Sequence, residues 1–342
     1  MKVQQTAAWM FIMAFAVTVL VIGQSIIVPF IFALLIWFIV KKFRDLIDKV
    51  EFIKKYIPRW VKTILGSLLI FGTLLFTASV LIENIENLAI SYSDYASNVA
   101  IVAERINELF NIDVQEEITH FVQGFEFSKY LQSLMNSISD IISNTFMIVL
   151  FATFIFADEA LFQSKLKLMY PDKESFIKYR KVVSKIDKSI SRYIGLKSII
   201  SISTAILCYF IFLGLGILSP IFWAFMVFLL NFIPSVGSII STLLPALFVL
   251  LQFGDFLPFL VLLFGAGGVN VLIGNFIEPK LMGDTLNISP VVTILSLMIW
   301  GSIWGVIGML LSVPITVVVI IILSQFPSTR AAAILLSARG RV

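Results

Sequence analysis

Four charged side chains, Asp255, Glu278, Lys280 and Asp284, are the whole complement between Lys197 and Arg330. A charge at the centre of a bilayer costs about 3 kcal/mol by insertion scales, so one held at that depth is a candidate for function. Asp255 follows Gly254 at a break in the apolar sequence and reads as an interfacial loop residue. The Glu278-Pro279-Lys280 triplet is different. Pro279 has no N–H and disfavours a helical Glu278, so the helix is expected to end or kink there, with free carbonyls beside a carboxylate. Two chemistries stay open. Glu278 either caps the span in an ion pair with Lys280 or an Arg, or binds a proton or sodium ion and couples it to movement.

A second constellation is uncharged. Pro234 removes a backbone donor and Gly237 permits close approach or a positive φ, so unwound backbone here could offer carbonyls and amides to a solute. Asn231 and Ser235 flank this break, which favours a lining role over a packing kink. Gly301, Gly305 and Gly308 are the counterpart further on, beside Trp300 and Trp304, whose commoner fate is packing or an interfacial seat. Between the two lie Asn270 and Asn275 in a Gly-rich run, where small residues let helices approach and amides bond across the gap. Asn, Ser and backbone groups could serve many small polar solutes.

The elements that carry these residues look like copies. One arm runs from Ser219-Pro220 through Gly237 and Pro245 to Gln252-Phe253, the other from Ser289-Pro290 through Gly308 and Pro314 to Gln325-Phe326. Pro220 to Gly237 is 17 residues and Pro290 to Gly308 is 18. Paired, interrupted apolar segments in two halves of a membrane domain point to a transport site. The two breaks are expected to meet near mid-membrane and share one polar cavity, with Asn231, Asn270, Asn275 and Glu278 facing it. Whether each arm crosses or dips in and returns is left open. If both dip, they form an inverted pair. On this reading Gly237→Leu fills the cavity without harming expression, with Gly195→Leu as the control.

Composition sets the class. Hydrophobic residues are 59% and charged ones 13% of 342, with mean hydropathy +1.00, which marks an all-α polytopic membrane protein rather than a soluble domain. Cys208 and His120 are single, leaving no disulfide and no basis for a metal centre. No phosphate-cradling Gly-rich loop with Lys occurs, basic residues flank spans, and nothing points to an enzyme, a cofactor or nucleic acid. The N-terminal apolar run reads as a retained span rather than a signal peptide.

About 7–8 spans are expected, two of them the broken or re-entrant arms. Residues 1–62 form an N-terminal helical pair, split near Gly23 and Pro29 by a tight turn, and a basic segment. Residues 63–157 hold spans at Thr63–Ile82 and Ile138–Ala157 with an extramembrane amphipathic helical hairpin, 83–137, between them. In it Ile85, Leu88, Tyr92, Tyr95, Val99, Val102, Ile106 and Leu109 keep a 3.5-residue repeat, expected to bury against another helix of the chain or of a second protomer. Residues 158–197 are an amphipathic segment, 198–326 the transport bundle and 327–342 a tail. Lys/Arg number eight in 41–62 and ten in 158–197 but two in 83–137, which puts both termini in the cytoplasm.

Asn275-Phe276-Ile277-Glu278-Pro279-Lys280-Leu281-Met282-Gly283, Leu295-Ser296-Leu297, Trp300-Gly301 and Gly308-Met309-Leu310-Leu311-Ser312-Val313-Pro314 resemble the autoinducer-2 exporter (AI-2E) family. The likeness extends to Asn231–Ser238 and Tyr193–Ser198, and more weakly, in span order, over nearly the whole chain. Ser238 stands where many relatives have Pro, and Asp284 where a basic residue is common. The resemblance implies secondary or facilitated export of an autoinducer-2-like quorum signal across the bacterial inner membrane, and a homo-oligomer, a pentamer among the forms expected. For some members it implies sodium/proton antiport, with H+ or Na+ as coupling ion. A non-transporting membrane scaffold is the reading from another class.

Overall fold

The computed structural model describes residues 2–110, 127–169, 172–282 and 287–340. No strand occurs among them beyond an isolated antiparallel bridge between Ile288 and Ser337. The described residues form twelve α-helices, in order α1 (Lys2–Ile22), α2 (Gln24–Ile47), α3 (Glu51–Tyr56), α4 (Arg59–Phe110), α5 (Phe127–Met169), α6 (Lys173–Leu215), α7 (Pro220–Leu230), α8 (Val236–Phe253), α9 (Phe256–Leu272), α10 (Glu278–Met282), α11 (Pro290–Leu323) and α12 (Arg330–Leu336). Among the described residues six stretches are long and apolar enough to cross a bilayer: Gln24–Ile47, Arg59–Asn84, Lys173–Leu215, Val236–Phe253, Phe256–Met282 and Pro290–Leu323. The fold is that of an all-α, multi-pass membrane protein.

The chain divides into two compact units. The first comprises Met1–Thr73, Ile142–Ile194 and Asp284–Val342, the second Leu74–Ile141 and Gly195–Gly283. In the first unit the expected split of the N-terminal run occurs at Gly23, but as a bend and not a reversal. Gly23 keeps a negative φ of −82°, and the bonds Gly23 N–Val19 O (2.8 Å) and Ile27 N–Gly23 O (2.9 Å) carry the helical ladder through it. Pro29 is carried inside α2. Ala33, Ile36 and Val40 of α2 pack on Ile148 and Ala152 of α5, small against branched, at intervals that keep one helical face inward.

The amphipathic segment and the fifth span expected from sequence are one helix, α6. Asp172 caps it by accepting from Ser175 N (2.9 Å), and no proline interrupts it afterwards. It ends at Gly216 (φ +69°). There Ile217 N donates to Phe212 O and Gly216 N to Leu213 O, both at 3.1 Å, which satisfies the last carbonyls. Phe212 and Ile217 are buried together in the core of the second unit, with Cys208, Phe222, Trp223, Val227, Phe248, Val249 and Leu262. α4 runs unbroken past its apolar stretch to Phe110. The side chains of its heptad stripe, and residues 111–126 with His120, lie outside the described part.

Both arms double back. α7 is 11 residues, about 16 Å, roughly half of a bilayer core. α8 returns along it: the rings of Trp223 and Phe248 stand 5.1 Å apart. In α11 the helix is broken at Trp304 (φ −127°, ψ 17°) and Gly305 (φ 60°, ψ −140°). Trp300 Nε1 then donates to Thr316 Oγ1 at 3.3 Å, although sixteen residues of straight helix span about 24 Å. Each hairpin opens on a Ser-Pro pair with the proline at the first helical position, where its missing N–H costs nothing.

Candidate functional site

The turn of the first hairpin is made by Ser235, not by the glycine. Ser235 has φ +61° and ψ −49°, and Val236 N donates to Pro234 O at 2.6 Å, closing a strained three-residue turn. Gly237 supplies close approach: a Cβ there would lie 1.7 Å from the carbonyl oxygen of Leu230. The second hairpin repeats the device. Gly305 carries the positive φ, and a Cβ on Gly308 would lie 1.8 Å from Trp300 O. Beyond that carbonyl group, the next atom each would meet is the Cβ of the residue four before it, Ile233 and Trp304. Gly237 and Gly308 therefore face their own hairpins and are packed against backbone, not set in the wall of an open cavity.

Asn231 caps α7 and is buried; its Nδ2 donates to Thr204 Oγ1 of α6 at 3.4 Å. Thr204 belongs to a polar line that the sequence reading missed. Lys197, Ser201, Thr204 and Cys208 recur at spacings of four, three and four, so they share one face of α6, and each is at most 4% exposed. At one end Lys197 Nζ forms a close ion pair with Glu278. Near the other, Asn231 reaches in from the hairpin tip. Between them Ser201 Oγ is buried with no hydrogen-bond partner among the described residues. A buried hydroxyl left unpaired costs about 1–3 kcal/mol, so this position invites a polar guest.

Glu278 is helical (φ −60°, ψ −49°), so the helix does not end there. The irregularity falls one turn earlier, where Ile273–Ile277 form a π turn. Pro279 cannot donate to the carbonyl of Asn275 and its ring would press on it in a regular helix; the widened turn relieves both. The partner of Glu278 is Lys197, not Lys280, which is exposed. Asn275, in the π turn, is also exposed. Asn270 is buried against a different helix, its Nδ2 donating to Thr242 Oγ1 at 2.8 Å and reaching Ser241 Oγ at 3.5 Å on α8. Asp255 caps α9, as an interfacial loop residue would. Gly283 and Asp284 lie outside the described residues.

Thus α6 brings Asn231 and Glu278 onto one polar line, while Asn270 holds to α8 and Asn275 and Lys280 point outward. The first hairpin, with Asn231, Pro234, Ser235 and Gly237, belongs to the second unit, and Gly305 and Gly308 belong to the first. Each unit thus carries a helical hairpin with a broken tip, and the second unit also a buried polar line, features that occur in membrane transporters with interrupted helices. The sequence profile described as AI-2E family transporter matches residues 10–328, and the chain belongs to that family. It is 28% identical to the AI-2 transport protein TqsA of Escherichia coli K12 over 92% of this chain and 90% of that one. A Haemophilus influenzae protein provisionally named a transport protein is 29% identical over 92% and 91% of the two chains. YhhT of Escherichia coli K12, named in the same provisional way, is 41% identical over 38% of this chain and 37% of its own.

Proposed function

We propose that this chain moves a small polar solute outward across the bacterial inner membrane by a secondary or facilitated mechanism, with the polar line of α6 as part of the pathway. An autoinducer-2-like signal is the favoured solute, from the name of the TqsA relative and from the neutral hydroxyl and amide groups on the line. The observation that carries the reading is the unpaired Ser201 hydroxyl between two satisfied neighbours, Thr204 with Asn231 on one side and Lys197 with Glu278 on the other. A hydroxylated guest would complete its hydrogen bonding. Asn231, Pro234, Ser235 and Gly237 of the first hairpin, Gly305 and Gly308 of the second, and Asn270, Asn275 and Lys280 are the further residues proposed to take part in transport. Both termini face the cytoplasm in this reading, which the excess of Lys/Arg in 41–62 and 158–197 supports. The protein works as a homo-oligomer and carries out no covalent chemistry.

Sodium/proton antiport through Glu278 is the second reading, and Lys197 bears on it directly. The lysine already occupies the carboxylate, so a sodium ion would have to displace a tethered ammonium.

Solute release from proteoliposomes, with and without sodium and pH gradients, tests both readings. Export that ignores the gradients removes the antiporter. Ser201→Ala should lower export severalfold while leaving the unfolding temperature unchanged or raised, since it deletes an unsatisfied group. Full export by that variant would sink the pathway assignment, and no export by the parent protein would favour the scaffold.

A further inference from the structure

Where α2 leaves and α4 enters its apolar stretch, α3 folds across and closes a pocket of ≈ 600 Å³. Five cationic side chains line it against two acids. Three of the cations are engaged: Arg44 with Glu159 and Thr63, Arg59 with the same Glu159, and Lys62 with Asp48. Lys54 and Lys55 on α3 form no ion pair among the described residues; Lys55 Nζ stands 5.6 Å from the centre of the exposed Tyr56 ring. Basic residues that only orient a span need not converge on a concavity; these do.

The rim fixes the level of the pocket. Phe52, Tyr56 and Trp60 are 70%, 64% and 66% exposed, and Phe52 and Tyr56 stack at 4.8 Å. Exposed Trp and Tyr beside the end of a span settle at the headgroup level of a bilayer. A phosphate that reaches Lys54 and Lys55 past these rings most readily arrives on a lipid. We infer that the α2–α3–α4 pocket binds the phosphate group of an anionic phospholipid, with Lys54 and Lys55, the two lining cations outside the ion pairs among the described residues, as its ligands.

The test uses the full chain purified in detergent with equal phosphatidylglycerol and phosphatidylcholine, the retained lipid being counted by native mass spectrometry. Phosphatidylglycerol should be enriched on the wild type. In Lys54→Gln/Lys55→Gln the enrichment should fall by up to about 25-fold, since one basic residue near the surface is worth roughly fivefold in affinity. Lys173→Gln/Lys178→Gln removes the same charge from α6, at exposed residues that do not line the pocket, and should retain the enrichment. Equal loss in both variants would reduce the effect to general charge and overturn the site. Inorganic phosphate competing away the lipid at millimolar concentration would reassign the pocket to a soluble anion and overturn the lipid. Both variants carry exposed substitutions, and unchanged size-exclusion profiles confirm that folding is not what is being read.

Discussion

The indole Nε1 of Trp304 donates to the main-chain carbonyl of Leu20 at 2.9 Å, across 284 residues of sequence. Leu20 lies in the last turn of α1, where carbonyls lack intrahelical partners, and Trp304 lies at the break of the second hairpin. One side chain therefore ties two irregular points of the first unit together. Trp304→Phe keeps the ring and removes only this donor. It should cost about 1 kcal/mol, read as a lower unfolding temperature in detergent. An unchanged transition would mean that water replaces the indole.

Gly237→Ala and Gly308→Ala should both sharply reduce the yield of folded protein. The obstruction is backbone oxygen, which cannot swing away as a side chain can, so the cost should reach or exceed the roughly 1–3 kcal/mol usual for overpacking. The same geometry changes what Gly237→Leu is expected to do: it should open the hairpin, not plug a cavity in an otherwise intact protein. Gly268→Ala and Gly195→Leu are controls, because an added Cβ at either position meets nothing within 4 Å. Monodisperse elution of the two hairpin variants at wild-type yield would contradict the close approach.

Glu278→Gln leaves the Lys197 ammonium buried without its counter-charge. Breaking a buried pair from one side costs about 3–5 kcal/mol, so this variant should unfold well before the wild type. Lys197→Met/Glu278→Gln removes both charges and should recover most of the loss. If the double variant is as unstable as the single one, the pair is not what holds α6 to α10.

Outside the membrane, burial raises the carboxyl of Glu159, but bonds and charge from Arg44, with Arg59 adding to them, win and leave it below its ordinary 4.5. Because the folded value is depressed, the stabilisation is complete above the unfolded value and disappears as pH falls through the folded one. Unfolding temperatures measured downward from pH 6 should drop through that window. Glu159→Gln should start lower at neutral pH and lose less on acidification. A variant with the wild-type acid slope would show that other groups carry it.

The spans were legible because hydropathy over about 20 residues is decided locally. The hairpins were legible as interrupted repeats, since Ser-Pro openings and mid-arm glycines are visible as residue types. The division of labour inside them was not: sequence cannot tell that Ser235 bears the positive φ while Gly237 is needed for its missing Cβ. Lys197 was read as the boundary of a basic segment because its partner lies 81 residues away. The line Lys197, Ser201, Thr204, Cys208 was hidden by the apolar residues between its members, although helical spacing alone would have put the four on one face. The π turn was displaced from the expected kink because a proline acts on the carbonyl four residues before it.

The first hairpin also has a topological parity. Gln252, at its far end, donates from Nε2 to Gly216 O at 3.0 Å and accepts from Leu218 N at 2.9 Å, so the chain leaves the hairpin beside the point where it entered. The two limbs together thus make no net passage. α9 therefore sets out from the end of α6 that α6 has just reached, and runs back until Glu278 meets Lys197. For the machinery that threads the chain into a bilayer, residues 197–278 are one crossing and its return, and the hairpin is invisible to the count. Fusion reporters at Gly216 and Gly254 must then report the same side, whatever depth the tip at Ser235 attains.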